Sequence, residues 1–196
     1  MGVISPTPSR RTLLGALAAT SAVTATTATS AEALRREFEA WNDEPIVLRR
    51  AARGRSDSEF RYHNAERFFA VIEQGLIHDR SDLLYQTGIV FQLGTSVHLL
   101  DVGFTDDWCR RYIGLRIAKS LAYANATGFD YHDPDTDLLA AVLTPYGKWR
   151  HPAPLDHYDE GPFTEVEMRR LTRALLDHVR RVTGHSRPGG WRRRLR

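Results

Sequence analysis

The chain of 196 residues contains a single cysteine, Cys109. No intrachain disulfide can form, so any fold must hold without one. Lysine is almost missing: Lys119 and Lys148 are the only two among 27 basic residues, the others being arginine. The first 31 residues have no acidic side chain, and Arg10 and Arg11 are their only basic ones. No segment alternates apolar and polar residues as a half-buried strand does, and no internal repeat is present. A net charge of +3, with both signs spread along the chain, argues for neither a nucleic-acid nor a membrane partner. Gly-x-Ser-x-Gly, a phosphate-cradling glycine loop and His-Glu-x-x-His are all absent, which removes the usual sequence grounds for three enzyme classes.

What is present begins with an address. After Arg10 and Arg11 come twenty uncharged residues, Thr12 to Ala31, whose only large apolar groups are Leu13, Leu14, Leu17 and Val23. Six threonines and two serines dilute them, so this stretch is too polar to hold itself in a bilayer. Small residues follow, and Ala31 and Ala33 each fit the end of a small-x-small cleavage site. A basic start, a mildly apolar middle and a small-residue exit are the three parts of an export signal. Ser9, Arg10, Arg11, Leu13 and Leu14 stand in "SRRTLL", which resembles the twin-arginine translocation motif, with Gly15 where a lysine often closes it. The resemblance implies recognition by the twin-arginine translocase and a periplasmic or secreted location. It covers the leader alone, residues 1–33, cleaved after Ala31 or Ala33.

From Leu34 on, helical periodicity dominates, at an ordinary 42% apolar and 26% charged residues. The spacing predicts an all-α fold: one bundle of five or six helices over 34–185, then a disordered basic tail over 186–196. Leu34, Phe38 and Trp41 mark a first helix. Ser56 and Glu59 read as a capping box for a second, with Tyr62, Ala65, Phe69, Ile72 and Leu76 as its core stripe. Ser81 to Asp101 carries no formal charge between Asp82 and Asp101, which suits a helix at the centre of a bundle better than a membrane span. Gly88 and Gly94 on it would allow close packing. Cys109, Ile113, Ile117 and Leu121, strictly four apart, predict one continuous helix from Thr105 to Asn125; a helix-turn-helix with its turn at Gly114 is the weaker reading. A short helix lies between Pro134 and Pro145. Thr164 and Glu167 form a capping box for the last one, whose core face is Met168, Leu171, Leu175, Val179 and Val182, with Gly184 as C-cap. Glu165 to Arg169 and Arg173 to Asp177 are ion pairs on its wet side.

Several groups could carry chemistry. His63 and Glu66 on one helix, with His98 and Asp101 on the next, could hold a metal between facing helices. The order is not the Glu-x-x-His of di-iron bundles. Asp133, Asp135 and Asp137 begin like a calcium loop, but Leu138 and Thr144 stand where glycine and glutamate are needed; stabilising a helix N-terminus explains them. The loop over 145–162 collects His151, Asp156, His157, Tyr158, Asp159 and Glu160 without a geometry. Cys109, among large apolar residues, reads as a small core hydrophobe. The tail's arginines and Trp191 could touch phosphates or lipid head groups, though a solvated terminus accounts for them.

Two functions remain open on the sequence. One is an exported helical binding protein, an accessory subunit of a periplasmic partner; small helical subunits with twin-arginine leaders can carry a leaderless partner across already folded. The other is a small metal-binding protein or metal-dependent enzyme using His63, Glu66, His98 and Asp101. No cofactor, nucleic-acid partner or stable transmembrane segment is indicated.

Overall fold

The structure, a computed structural model, describes residues 31–151 and 158–189. Ser9, Arg10, Arg11, Leu13 and Leu14 of the leader motif lie outside the described residues, as do Asp156, His157 and Trp191. The fold is all-α, with no strand among the described residues. A helix over 31–41 (α1) is followed by α2 (Ala52–Glu73), α3 (Arg80–Val102), α4 (Asp106–Trp108), α5 (Ile117–Ala126), α6 (Pro134–Leu143) and α7 (Glu165–Thr183). A π-helical turn, Cys109–Ile113, continues α4, and a 3₁₀ turn, Tyr146–Trp149, follows α6.

The uncharged stretch becomes the axis of the bundle. Asp79 caps α3 by accepting the Asp82 N–H at 2.9 Å, and Gly103 closes it in a left-handed conformation. Thirteen of its 23 residues are buried, because α2, α5, α6, α7 and the 3₁₀ turn pack around it. Of its buried polar side chains, Thr95 Oγ1 donates to the Phe91 carbonyl and lies 2.6 Å from Ser120 Oγ, whereas the Thr87 hydroxyl has no hydrogen-bond partner among the described residues. Among the described residues no helix is long and apolar enough to cross a membrane.

Three local expectations are corrected. Helix α2 starts at Ala52, so Ser56 and Glu59 lie inside it and no side chain caps Ala51. Tertiary contact extends the helix beyond its local signal: Gly54 abuts the Leu100 carbonyl and Arg55 reaches both Asp101 and Thr183. Tyr62, Ala65, Phe69 and Ile72 are buried as expected, but Leu76 falls past the helix end and stays exposed. Second, the helix expected over Thr105–Asn125 is broken. Gly114 takes φ +58°, its N–H bonding back to the Cys109 carbonyl, five residues away. The strict four-residue spacing explains the break. Side chains four apart precess roughly 40° per step on an α-helix, so a straight helix would carry the stripe off the core. The wider π turn and the kink reset the phase, and Cys109, Ile113, Ile117 and Leu121 all stay buried.

The third correction concerns α7. Its capping box forms, with Thr164 and Glu167 bonded reciprocally, and Gly184 takes the left-handed cap at φ +71°. Met168, Leu171, Leu175 and Val179 are fully buried, whereas Val182 is exposed. Arg173 does meet Asp177, at 3.4 Å, but not on the wet side: it turns into the seam with α2.

Candidate functional site

Ser58, Tyr62 and Glu66 succeed each other at four-residue steps, which aligns them along one edge of α2. Helix α7 lays Arg173 and Asp177 beside that edge. Beyond Gly184 the chain turns back, and His185, Ser186 and Arg187 close over it.

Glu66 is the hub. Arg173 grips its carboxylate with two hydrogen bonds, at 2.6 and 2.9 Å, and the Tyr62 hydroxyl donates to it at 2.7 Å. Arg187 stands 3.5 Å away. Burial pushes the Glu66 pKa up, but the Arg173 and Tyr62 hydrogen bonds outweigh it and hold the carboxyl below its ordinary range. Burial, followed by the bond to Glu66, raises the Tyr62 pKa.

A serine and a histidine also meet here, His185 Nε2 lying 2.7 Å from Ser58 Oγ. Their chemistry is structural. Ser58 is fully buried and its hydroxyl donates to the Val97 carbonyl at 2.8 Å, which leaves the oxygen to accept from the imidazole N–H. Burial, then the nearby Arg55 charge, lowers the His185 pKa, so the ring is neutral at neutral pH. A serine without access and a histidine already donating to it cannot act as nucleophile and base.

The four candidate metal ligands are not brought together as a centre. His63 Nε2 bonds the Ser186 carbonyl at 3.1 Å. Asp101 accepts from Arg55 at 2.7 Å, and the same guanidinium donates to the Thr183 carbonyl. Glu66 is occupied by Arg173. His98 lies elsewhere, bonded to Thr127 at 3.3 Å with its ring 5.2 Å from Phe129, and burial brings its pKa down to about 4. Among the described residues no three His, Cys, Asp or Glu side chains are placed to hold a metal. His63 and Glu66 instead meet Ser186 and Arg187, and Asp101 holds the Arg55 guanidinium that donates to the Thr183 carbonyl, so three of the four help fasten residues 183–187 to the bundle.

The other candidates have local roles. Asp133 accepts from Thr136 at 2.8 Å at the start of α6, and Asp135 pairs with Arg170 at 3.4 Å. In the loop, Tyr146 and Trp149 are buried, Asp159 accepts the Gly161 N–H and Glu160 pairs with Arg80. Burial pushes the Cys109 thiol up to about 12.

Where the chain turns at the end of α7, a concavity of about 810 Å³ opens, lined by Asp177, Arg180, Arg181, His185, Ser186 and Arg187. No family model, curated protein or solved structure matches this chain. Its own atoms must therefore carry the functional reading. Three guanidiniums face a single carboxylate in the concavity. A second exposed feature lies on α2: Phe60, Phe68 and Val71 are 64%, 40% and 40% exposed, Phe60 and Val71 on the side away from the core stripe and Phe68 at its flank. Neither Arg187 nor the apolar side of α2 stood out in the sequence, since the first follows the end of periodicity and the second is masked by the stronger inward stripe.

Proposed function

We propose that the chain is an exported helical protein that acts by binding a protein partner, as an accessory subunit outside the cytoplasm. Phe60, Phe68 and Val71 carry the reading. Phe60 and Val71 turn away from Tyr62 and Phe69, and Phe68, four residues before the buried Ile72, flanks the core stripe, so apolar side chains continue from the covered face of α2 onto its uncovered one. Arg67 lies on the same outer face and makes no ion pair among the described residues. The partner surface is therefore apolar and bordered by carboxylates. Export rests on the leader's layout and the "SRRTLL" resemblance. It is compatible with the bundle: the first buried residue described is Phe38, so cleavage after Ala31 or Ala33 takes nothing from the core.

Two experiments test the two halves. Replacing Arg10 and Arg11 with lysine should leave the protein in the cytoplasm with its leader uncleaved; unchanged location overturns export by this route. Phe60→Ser with Phe68→Ser should keep the helical spectrum and melting temperature while abolishing a defined complex isolated with the wild-type protein from its own host. A complex that survives both substitutions overturns the assignment of this face.

A further inference from the structure

The last nineteen residues contain seven arginines and no acidic side chain, whereas the rest of the chain is net acidic. Tertiary structure gathers the first three of these arginines, Arg180, Arg181 and Arg187, around the concavity at the end of α7. Asp177, the one carboxylate there, is already neutralised: Arg187 bonds it directly and Arg173 Nε stands 3.4 Å from it. Arg180 makes no ion pair among the described residues, and the contact of Arg181 is to an imidazole nitrogen, His178 Nδ1, at 3.2 Å, not to a carboxylate. Two guanidiniums thus face the concavity without a counter-charge.

Helix geometry explains part of this and not the rest. Arginines in a last turn are favoured by the partial negative charge of the helix C-terminus, equivalent to roughly half an elementary charge. That accounts for Arg180 and Arg181 as single residues. It does not account for Arg187, brought back by the left-handed turn at Gly184, or for an open space between the three. Two uncompensated positive charges outweigh the helix end, part of which is already satisfied by the Gly184 N–H on the Arg180 carbonyl at 2.8 Å.

We propose that this concavity binds a phosphate group. Planar guanidinium forks match phosphate oxygens two at a time, and phosphate offers enough oxygens and charge to engage more than one fork at once. A volume of about 810 Å³ exceeds what the bare ion needs, leaving room for a substituent, as in a phosphate ester or a phospholipid head group. The site lies on the turn after α7 and is independent of the apolar face of α2.

The test uses the purified chain at fixed ionic strength with two probes, inorganic phosphate and vesicles of phosphatidylglycerol, against neutral phosphatidylcholine vesicles. Phosphate or the anionic vesicles should produce saturable shifts of the Arg180 and Arg181 Nε–Hε resonances. Arg180→Gln with Arg181→Gln should weaken binding at least tenfold at unchanged melting temperature. Replacing Arg192, Arg193, Arg194 and Arg196 with glutamine should leave phosphate binding in place. Response to phosphate points to a soluble ligand; response to the vesicles alone points to a lipid head group. The proposal is overturned if neither probe binds saturably, if the Arg180/Arg181 variant binds like wild type, or if binding is lost only with the tail arginines.

Discussion

Lys119 Nζ lies 2.7 Å from Asp43 Oδ2, with 1% and 6% of the two side chains exposed. One of only two lysines in the chain is thus sealed in the interior. The Tyr123 hydroxyl donates to the same carboxylate at 2.6 Å, and Trp41 covers the ammonium with its ring centre 5.2 Å away. Next along the chain, the Glu44 carbonyl accepts from Trp108 Nε1 at 2.9 Å. Together these bonds pin the segment between α1 and α2 onto α4 and α5. Removing one member leaves a buried charge without its partner, which typically costs about 3–5 kcal/mol, whereas replacing both by apolar groups is often neutral. Lys119→Met should therefore shift the urea midpoint sharply down, and Lys119→Met with Asp43→Leu should recover most of the loss. A single variant as stable as wild type would show that the pair holds nothing.

The two glycines of α3 should respond oppositely to alanine. A Cβ at Gly94 would sit 3.5–3.7 Å from Leu176, Leu175 and Val179, ordinary contact distances. Gly94→Ala is expected to stabilise by up to about 1 kcal/mol through helix propensity. At Gly88 the same atom would overlap Tyr146, whose turn packs directly on the helix backbone, so Gly88→Ala should destabilise. Thermal melts of the two variants decide it. Loss of stability in both would mean that α7 packs closer to Gly94 than described.

Cys109 should be inert in the folded protein. Burial holds its thiol protonated, with a pKa of about 12, and thiol reagents attack the thiolate. Labelling with a disulfide reagent at pH 7.5 is expected only at the rate of unfolding, and at once in denaturant. Immediate reaction of the native chain would contradict the burial.

Stability should fall on acidification, beginning well above the carboxylate range. The folded pKa of His98 is about 4, against 6.5 for a free histidine, so above 6.5 neither state is protonated and the full stability is present. Between 6.5 and 4 the unfolded chain takes up a proton that the folded one refuses, which removes up to about 1.4 kcal/mol per pH unit. The lowered Glu66 pKa acts in a later window: its contribution is present above the unfolded value of 4.5 and is lost as pH falls below that through the folded one. His98→Gln should make the upper slope shallower without abolishing it, because burial lowers the His185 pKa as well. An unchanged slope would remove His98 from the account.

Much of the bundle can be read from local pattern. Stripes at three and four residues mark the inner faces of α2 and α7, because helix period and burial act on the same residues, and the absence of charge marks α3. Legibility stops where distant contacts outvote local signals. Ser56 and Glu59 spell a capping box, yet docking of Gly54 and Arg55 carries α2 past it. The site is less legible still. Glu66 and His63 stand out as ligating residue types, but their partners, Arg173 and Ser186, are 107 and 123 residues away. No spacing rule reaches that far, so residues that suggested a metal prove to be fasteners for the end of the chain.

By itself, then, the sequence determined an all-α chain with an uncharged central helix and a capped last helix. These follow from periodicity, capping and composition, each a property of near neighbours. The tertiary structure alone decided that Lys119 is buried against Asp43, that the helix after Thr105 breaks at Gly114, and that Arg180, Arg181 and Arg187 surround one hollow. Those outcomes depend on which groups meet across the core, where burial makes an unpaired charge costly and a long-range partner decisive.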